Sequence, residues 1–217
     1  MVGYDDIPGI RRLRTFRLLP LYLISFIFAG LLFSSKAPAT DSPSNYVWPH
    51  HQCLRYRSEN PDLLIFGDSI FDGWSGYLLH VFPRALVDAK VSRQFSSVIS
   101  DYQGLLKYRA VQEAPVIVLE LGTNGPITRA AIEQFMALAG SKQVYWITPD
   151  VPRPWQAEVL SRIDWAKKYY PNVRLVHWHQ YAQGHPGWFW SDGVHPNWEG
   201  IQAEVGLLQE TMRRKPS

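Results

Sequence analysis

A short apolar run from Pro115 to Leu121 constrains the fold of this chain more than any other stretch. All of its residues except Glu120 are apolar, and three of them are β-branched. The run is too short for an ordinary helix, and its composition is typical of a strand. A strand that is apolar throughout is typical of a parallel sheet with both faces covered by helices. The run therefore predicts a buried strand inside an α/β domain.

Similar strand-like runs recur along the chain and alternate with stretches of helical pattern. This alternation predicts a three-layer α/β/α sandwich with a central parallel sheet of about five strands. The predicted strands cover residues 62–66, 85–89, 115–121, 143–148 and 173–177, and the predicted helices cover 71–82, 102–113, 126–140, 155–170 and 197–212.

The first predicted strand runs directly into Gly67-Asp68-Ser69, where the chain must turn. A serine at the carboxyl end of a buried strand lies where α/β proteins place their functional groups. The positive end of the following helix favours the alkoxide character that a nucleophile needs. Taken alone, the tripeptide is also an ordinary turn or helix N-cap sequence. The assignment of Ser69 therefore depends on the motifs further along the chain.

Two further polar motifs follow predicted strands. Gly122-Thr123-Asn124-Gly125 comes directly after the strand at 115–121, and Asp192-Gly193-Val194-His195 lies in the loop after the fifth strand. The carboxyl ends of parallel strands meet at one edge of a sheet, where functional groups collect. We therefore expect both motifs to lie beside Ser69.

A serine nucleophile needs a base, and the base needs a partner that orients it. His195 is the candidate base, and Asp192, three residues earlier, can reach its Nδ1–H. The side-chain amide of Asn124 and the backbone N–H of Ser69 are candidate donors to the oxyanion that develops in acyl transfer. Each residue alone also has an ordinary structural explanation, as a turn, cap or surface residue. Together they predict a Ser69–His195–Asp192 catalytic triad.

The three motifs resemble blocks I, III and V of the SGNH (GDSL-like) hydrolase superfamily. Longer stretches resemble more specifically the extracytoplasmic SGNH domain of bacterial peptidoglycan O-acetyltransferases and related cell-surface acyltransferases, and the likeness spans residues 60–210. The resemblance implies a flavodoxin-like SGNH-hydrolase fold and the same roles for the triad. The stretches that carry it are Val87–Gln94, Glu120–Gly125, Val151–Trp155 and Trp190–Pro196.

One position departs from the pattern of the family. The glycine expected in block II is Ser92 in this chain. The resemblance implies that the backbone N–H at this position donates to the oxyanion, and serine retains that N–H. A positive φ angle would be strained in Ser92, because serine has a Cβ atom and glycine does not.

Residues beside the motifs are candidate substrate contacts. Asp68 and Trp190 are expected to bind substrate, and Arg93 is expected either to orient an anionic or hydroxyl-rich acceptor or to pair with an acid in the fold. Seven of the nine tryptophans lie between residues 146 and 198. Indole rings near a serine site suit sugar rings, although aromatic residues more commonly belong to the core.

The N-terminal region has the pattern of a membrane segment. Four arginines precede an uncharged apolar run, which is short for a spanning helix but within its range. The arginines predict that the N-terminus stays in the cytoplasm. We therefore expect a basic cytoplasmic tail at 1–17, a transmembrane signal anchor at 18–34, a linker at 35–56 and an extracytoplasmic domain at 57–217. A signal peptide cleaved near 37–39 and a helix buried in a soluble domain are the alternatives.

The distribution of charged residues, histidines and cysteine indicates which partners and cofactors to expect. Residues 1–39 hold five of the 22 Lys and Arg residues and two of the 19 Asp and Glu residues, which leaves 17 of each in 40–217. A neutral domain without a basic stripe does not predict a nucleic-acid partner. His50, His51 and Cys53 lack the separated ligand pairs of a zinc site. We expect neither a metal nor another cofactor.

These features predict a membrane-anchored serine O-acyltransferase of the bacterial cytoplasmic membrane, acting as an O-acetyltransferase. Its expected substrates are an acyl donor and a cell-envelope glycan. The peptidoglycan enzymes that it resembles fuse this domain to a multispanning acyltransferase, and here one anchor precedes it. A separate multispanning membrane protein is therefore the expected source of the acyl group. The alternatives are a carbohydrate or lipid esterase with the same triad and an inactive glycan-binding module.

Overall fold

The structure is a computed structural model that describes residues 53–214. Strands and helices alternate along this part of the chain. The strands are β1 (Cys53–Tyr56), β2 (Leu63–Gly67), β3 (Ala85–Ala89), β4 (Val116–Glu120), β5 (Gln143–Ile147) and β6 (Val173–Val176). The helices are α1 (Ser69–Gly73), α2 (Ser75–Val81), α3 (Phe95–Leu105), α4 (Arg109–Glu113), α5 (Arg129–Ala139), α6 (Gln156–Tyr169), α7 (Trp178–Ala182) and α8 (Trp198–Arg213), with a 3-10 turn at Pro186–Trp188 before α8.

The strands form one mixed sheet in the order β1-β3-β2-β4-β5-β6. Strands β2 to β6 are parallel and correspond to the five predicted strands. Their spatial order is that of flavodoxin-like sheets, in which the strand order reverses beside the first strand of the parallel set. In this protein that strand is β2, which carries Ser69 at its carboxyl end.

The prediction of a purely parallel sheet of about five strands requires one correction. A sixth strand, β1, pairs antiparallel with β3, with Cys53 opposite Ala89 and Tyr56 opposite Leu86. The sequence did not reveal β1 because it is short and contains the charged Arg55, as edge strands commonly do. Residues 53–56 therefore belong to the sheet, although they were expected in the linker.

Successive residues of a strand point to opposite faces of the sheet, so each apolar strand has side chains to bury on both faces. Helices cover both faces and bury these side chains in two cores. Leu64, Phe66 and Trp146 contribute to a core with α3, α4, α5 and α6. Ile65 and Val87 contribute to the core on the other face, with α1, α2, α7 and α8. The described domain therefore has the three layers that the alternation of elements predicted.

The helix predicted at 102–113 differs from the structure. It is replaced by α3, which already begins at Phe95, and by α4, which begins at Arg109. Residues spaced by three or four positions form the buried side of α3, and this face begins before the predicted start. Those buried residues are Phe95, Val98, Tyr102 and Leu105.

The predicted membrane segment cannot be compared with the fold. The basic tail at 1–17, the anchor at 18–34 and the first part of the linker lie outside the described residues. Between residues 53 and 214, no helix combines the length and the apolar character needed to cross a membrane.

The start of α8 is packed closely against the turn Pro186–Trp188. The side chain of Asn197 caps the helix by accepting a hydrogen bond from the N–H of Gly200 at 3.1 Å, and its backbone N–H donates to the carbonyl of Trp188 at 2.8 Å. A Cβ atom on Gly200 would lie 2.1 Å from that same carbonyl oxygen. Only glycine therefore allows this approach, which anchors the loop that precedes α8.

Gly200→Ala is expected to destabilise the protein by about 2–3 kcal/mol, because its methyl group must displace backbone rather than a flexible side chain. Gly206→Ala is the matched control, since it lies on the same helix and a Cβ there has no neighbour within 4 Å. The control should stabilise the helix by up to about 1 kcal/mol. Urea-induced unfolding of the full-length protein in detergent measures both changes, and equal effects would contradict the proposed contact.

Candidate active site

The register of three parallel strands brings the sequence motifs to one edge of the sheet. Gly67, the last residue of β2, lies opposite Ala89 of β3 and opposite Glu120 of β4. The chain segments that follow these three residues therefore leave the sheet side by side. The strand order reverses at β2, and α/β proteins form their ligand crevices at such a point.

Ser69, His195 and Asp192 form a chain of hydrogen bonds at this edge. Ser69 is the first residue of α1, and its Oγ lies 2.9 Å from Nε2 of His195. Nδ1 of His195 lies 2.7 Å from Oδ2 of Asp192. The imidazole is thus oriented with one nitrogen toward the hydroxyl and the other toward the carboxylate. This geometry is the one that general-base activation of a serine requires.

Asp192 is held in place by its own loop. Its Oδ1 accepts hydrogen bonds from the backbone N–H groups of Val194 at 2.9 Å and His195 at 3.0 Å. Burial acts to raise the pKa of Asp192, but the hydrogen bonds from His195 and Val194 outweigh it and lower the pKa to about 2. Asp192 is therefore ionised throughout the neutral range and can stabilise a positively charged imidazole.

The three residues are accessible from solvent in the described domain. The side chains of His195 and Asp192 are 40% and 48% exposed, and Ser69 is half-buried. Such an open site can accept a group on a large or polymeric molecule. The described residues do not by themselves enclose the serine away from water.

The candidate oxyanion donors surround the same edge. The side-chain amide of Asn124 donates to Oδ2 of Asp68 at 3.1 Å and to the carbonyl of Arg93 at 3.3 Å. Ser92 has a φ angle of +60°. This is the positive φ angle that was expected to be strained in a serine. The turn that contains Ser92 is joined to β2, because the N–H of Lys90 donates to the carbonyl of Gly67 at 3.2 Å. Oxyanion stabilisation by Asn124, Ser92 and Ser69 stays a prediction.

Two roles were expected for Arg93, and the structure favours the second, which is to pair with acids inside the fold. Its side chain is 0% exposed and donates to the carboxylates of Asp88 at 2.6 Å and Asp101 at 3.1 Å. It also donates to the carbonyl oxygens of Gly67 and Asp88. Arg93 therefore ties the turn after β3 to the end of β2, and the expectation that it binds substrate is corrected.

The expectation that Asp68 binds substrate is corrected in the same way. Asp68 is 0% exposed, and its Oδ1 caps α1 by accepting from the N–H of Ile70 at 3.0 Å. Its second oxygen is bound to Asn124. Both oxygens are therefore engaged inside the domain.

Trp190 differs from its neighbours because its ring is at the surface. It is 59% exposed, and its backbone N–H donates to the carbonyl of His195 at 2.9 Å. Trp188 instead packs against Trp178, with ring centroids 5.8 Å apart and an interplanar angle of 9°. Trp190 thus remains a candidate substrate contact at the rim of the site, and Trp188 belongs to the core.

Two buried acids next to Asp68 were not predicted from the sequence. Glu120 and Glu204 are 2% and 1% exposed, respectively. Burial, with the charge of Asp68 adding to it, raises the pKa of Glu204 to about 8 and the pKa of Glu120 well above its usual range. The sequence nevertheless holds a sign that each acid is buried. Glu120 ends an apolar strand. Glu204 also lies on the buried face of α8 with Ile201, Val205 and Leu208.

Known proteins resemble this chain in sequence and in fold. The chain matches no protein-family model. Peptidoglycan O-acetyltransferase OatA of Listeria monocytogenes is 33% identical over 148 residues, which are 68% of this chain and 23% of that protein. The chain thus spans about a quarter of the length of the curated relatives that it matches.

Solved structures share the fold. The C-terminal catalytic domain of Streptococcus pneumoniae peptidoglycan O-acetyltransferase A superposes with a TM-score of 0.56 at 20% identity, covering 70% of this chain and 90% of that chain. A protein assigned to the GDSL-like lipases, from Parabacteroides merdae, superposes with a TM-score of 0.54 at 16% identity, covering 72% and 98%. At these identities the likeness concerns the fold alone.

The described domain thus has the fold of the SGNH (GDSL-like) hydrolases. Within that class, its homologues are peptidoglycan O-acetyltransferases. The resemblance drawn from the sequence motifs is therefore confirmed.

Arg93→Met is expected to destabilise the protein by about 3–5 kcal/mol, because it leaves the carboxylate of Asp88 buried without its partner. Arg84→Met is the matched control, since the pair of Arg84 and Asp62 is 59% and 51% exposed. Removing an exposed pair should cost less than about 1 kcal/mol. Urea-induced unfolding at neutral pH measures both variants, and a similarly small loss in Arg93→Met would show that the buried pair contributes little.

Glu204→Gln is expected to make stability less dependent on pH. The pKa of Glu204 is 4.5 in the absence of the fold and about 8 within it, so wild-type stability falls as pH rises between these values, where the unfolded chain releases the proton first. The unfolding midpoints should agree at pH 4.5, and at pH 8 the variant should unfold roughly 5 °C higher. Thermal unfolding followed by circular dichroism measures this, with the exposed Glu210→Gln as control. Parallel pH profiles for wild type and Glu204→Gln would contradict the assignment.

Proposed function

We propose that this protein is a serine O-acyltransferase that transfers an acetyl or similar short acyl group to a hydroxyl of a cell-envelope glycan. The observation that carries the proposal is the relay from Ser69 through His195 to Asp192, with distances of 2.9 and 2.7 Å. The names of its homologues, which are peptidoglycan O-acetyltransferases, support a glycan hydroxyl as the acceptor.

The first half of the proposed reaction makes an acyl-enzyme. Oγ of Ser69 attacks the carbonyl carbon of the acyl donor while its proton passes to Nε2 of His195. The negative charge on the carbonyl oxygen is stabilised by N–H donors, for which Asn124, Ser92 and Ser69 are the candidates. The tetrahedral intermediate then expels the donor's alcohol oxygen, which takes the proton from His195. The acyl group remains on Ser69 as an ester.

The second half transfers the acyl group and restores the serine. A hydroxyl of the acceptor gives its proton to Nε2 of His195 as its oxygen attacks the ester carbonyl. Collapse of this second intermediate breaks the bond to Oγ of Ser69, which recovers the proton from His195. Asp192 remains ionised throughout, because its pKa is lowered to about 2 by hydrogen bonds from its own loop that outweigh burial.

The open surface around the triad supports a polymeric acceptor. Trp190 is 59% exposed, and Trp198, three residues after His195, is 41% exposed. The ring of Trp198 is braced by Trp74, at a centroid distance of 5.7 Å, and by Tyr77 at 5.0 Å. Rigid exposed aromatic rings offer apolar contact area to a sugar at low cost in conformational entropy. Trp190 and Trp198 are therefore the proposed contacts of the glycan.

Esterase activity is the second candidate function. The same residues hydrolyse the acyl-enzyme when water replaces the acceptor hydroxyl, and the exposure of His195 and Asp192 leaves water access to the serine. The likeness in fold to a GDSL-like lipase agrees with this alternative. Transfer requires that the bound acceptor excludes water from the ester. The balance between the two reactions therefore depends on acceptor binding.

The proposed setting is the outer face of the bacterial cytoplasmic membrane. The apolar run at 18–34 and the arginines before it support a single-pass anchor with the domain outside the cytoplasm. An acyl group activated in the cytoplasm must then cross the membrane before it reaches Ser69. A separate multispanning membrane acyltransferase is the proposed partner for that step.

Full-length protein in detergent, given 4-nitrophenyl acetate and peptidoglycan-derived oligosaccharides, is expected to produce acetylated oligosaccharide detectable by mass spectrometry. Ser69→Ala should reduce turnover by a factor of about 10³ or more, because the covalent route is lost. The exposed Ser100→Ala on α3 is the matched control and should retain wild-type turnover.

The products distinguish the candidate functions. Acetylated sugar that depends on Ser69 supports the transferase, and free acetate that no oligosaccharide diverts supports the esterase. Turnover that survives in Ser69→Ala would refute both, because each requires the ester on that serine.

A further inference from the structure

Asp68 connects the candidate nucleophile to the candidate oxyanion donor. Its Oδ1 accepts from the N–H of Ile70 at 3.0 Å and thereby caps the helix that begins with Ser69. Its Oδ2 accepts from the side-chain amide of Asn124 at 3.1 Å. Because Asp68 is 0% exposed, no water competes for these positions. The orientation of Asn124 therefore depends on where Asp68 is held.

Glu120 holds Asp68 from the opposite side. Its Oε2 accepts from the backbone N–H of Asp68 at 3.2 Å, which places the two buried carboxyl groups side by side. Two carboxyl groups that share a buried site disfavour the ionisation of both. Burial, followed by the charges of Asp68 and Glu204, raises the pKa of Glu120 well above its usual range. Glu120 is thus the protonated member of the pair.

The other titratable groups facing this pair come from two elements. Glu204 faces it from α8, and its carboxyl Oε2 is buried without a hydrogen-bond partner. His195 faces Asp68 from the loop before α8 and acts to lower the pKa of Asp68, against the larger effect of burial, which raises it. Of these groups, Glu120 is the one that accepts a hydrogen bond from the main chain of Asp68.

The two hydrogen bonds of the Asn124 amide are unequal. The bond to Asp68 is 3.1 Å long and has a carboxylate acceptor, whereas the bond to the carbonyl of Arg93 is 3.3 Å long. A developing oxyanion is a stronger acceptor than a neutral carbonyl. During acyl transfer the oxyanion can therefore replace the carbonyl of Arg93, while the bond to Asp68 continues to orient the amide.

We propose that Glu120 is a positioning residue for oxyanion stabilisation, acting through Asp68 on the amide of Asn124. Asp68 holds one amide hydrogen and leaves the other for the oxyanion, just as Asp192 orients His195 toward Ser69. The site thus contains two orienting carboxylates, one for the base and one for the oxyanion donor. This inference rests on the proposed acyl transfer at Ser69.

A double-mutant cycle tests the inference in the full-length protein, with hydrolysis of 4-nitrophenyl acetate as the assay. Glu120→Leu should lower kcat by about 10- to 100-fold, the loss typical of removing an orienting partner, with little change in KM. Glu120→Gln should stay within about threefold of wild type, because its side-chain oxygen can still accept from the Asp68 N–H. In the Asn124→Ala background, Glu120→Leu should change kcat by less than about threefold.

Equal losses from Glu120→Leu with and without Asn124 would overturn the inference, because Glu120 would then act only on the fold. If Glu120→Leu does not fold, Asp68→Asn replaces it in the same cycle. That variant can still cap α1, but it presents an N–H instead of an acceptor to Asn124. Glu204→Gln is the matched control, since it removes a buried acid of the same cluster that is not hydrogen-bonded to Asp68, and it should leave kcat unchanged.

A second measurement does not depend on activity. The side-chain N–H signals of Asn124 in a ¹⁵N NMR spectrum are identified by their loss in Asn124→Ala. These signals should shift in Glu120→Leu and remain near their wild-type positions in Glu120→Gln and Glu204→Gln. Unchanged signals in Glu120→Leu would refute the positioning role. Absence of turnover that depends on Ser69 in the wild type would instead refute the proposed function.

Discussion

The register of β2 between β3 and β4 is the constraint on which the rest of the site depends. Gly67 lies opposite Ala89 on one side and Glu120 on the other. The three chain segments that follow these residues therefore leave the sheet next to one another, at its carboxyl edge. A shift by one residue would turn every side chain of β2 to the other face. It would also separate Ser69 from the segments that follow β3 and β4. The two apolar cores hold this register, because each strand contributes alternate residues to each core.

Below the triad, the protein buries polar groups that would be costly if left unpaired. Arg93 is compensated by Asp88 and Asp101, and its bond to Gly67 joins the end of β3 to the end of β2. The acids Glu120 and Glu204 are tolerated by remaining protonated, since burial raises the pKa of each. Intact buried pairs add little net stability over apolar residues, although removing one partner is costly. They specify instead where Ser69 and Asn124 must lie.

The surface above this interior is open. His195 and Asp192 are positioned by hydrogen bonds within their own loop, so the candidate triad is assembled without a covering lid in the described domain. Hydrolysis and transfer then differ by what occupies the space above the ester of Ser69. In the proposed reaction, a glycan stacked on Trp190 excludes water there, and the acceptor therefore decides between the two outcomes. An open triad on a rigid edge suits a substrate too large to be enclosed.

The sequence by itself determined the five parallel strands and the grouping of Ser69, Asn124 and His195 at one edge, because apolar periodicity and strand order depend on local pattern and general rules of topology. Only the tertiary structure decided which groups Arg93 and Glu120 contact. Arg93 was a plausible substrate contact until its acid partners were seen, and Glu120 was only the last residue of an apolar strand. The role of a buried charge depends on which distant segments meet it, and that is set by packing rather than by neighbours in sequence.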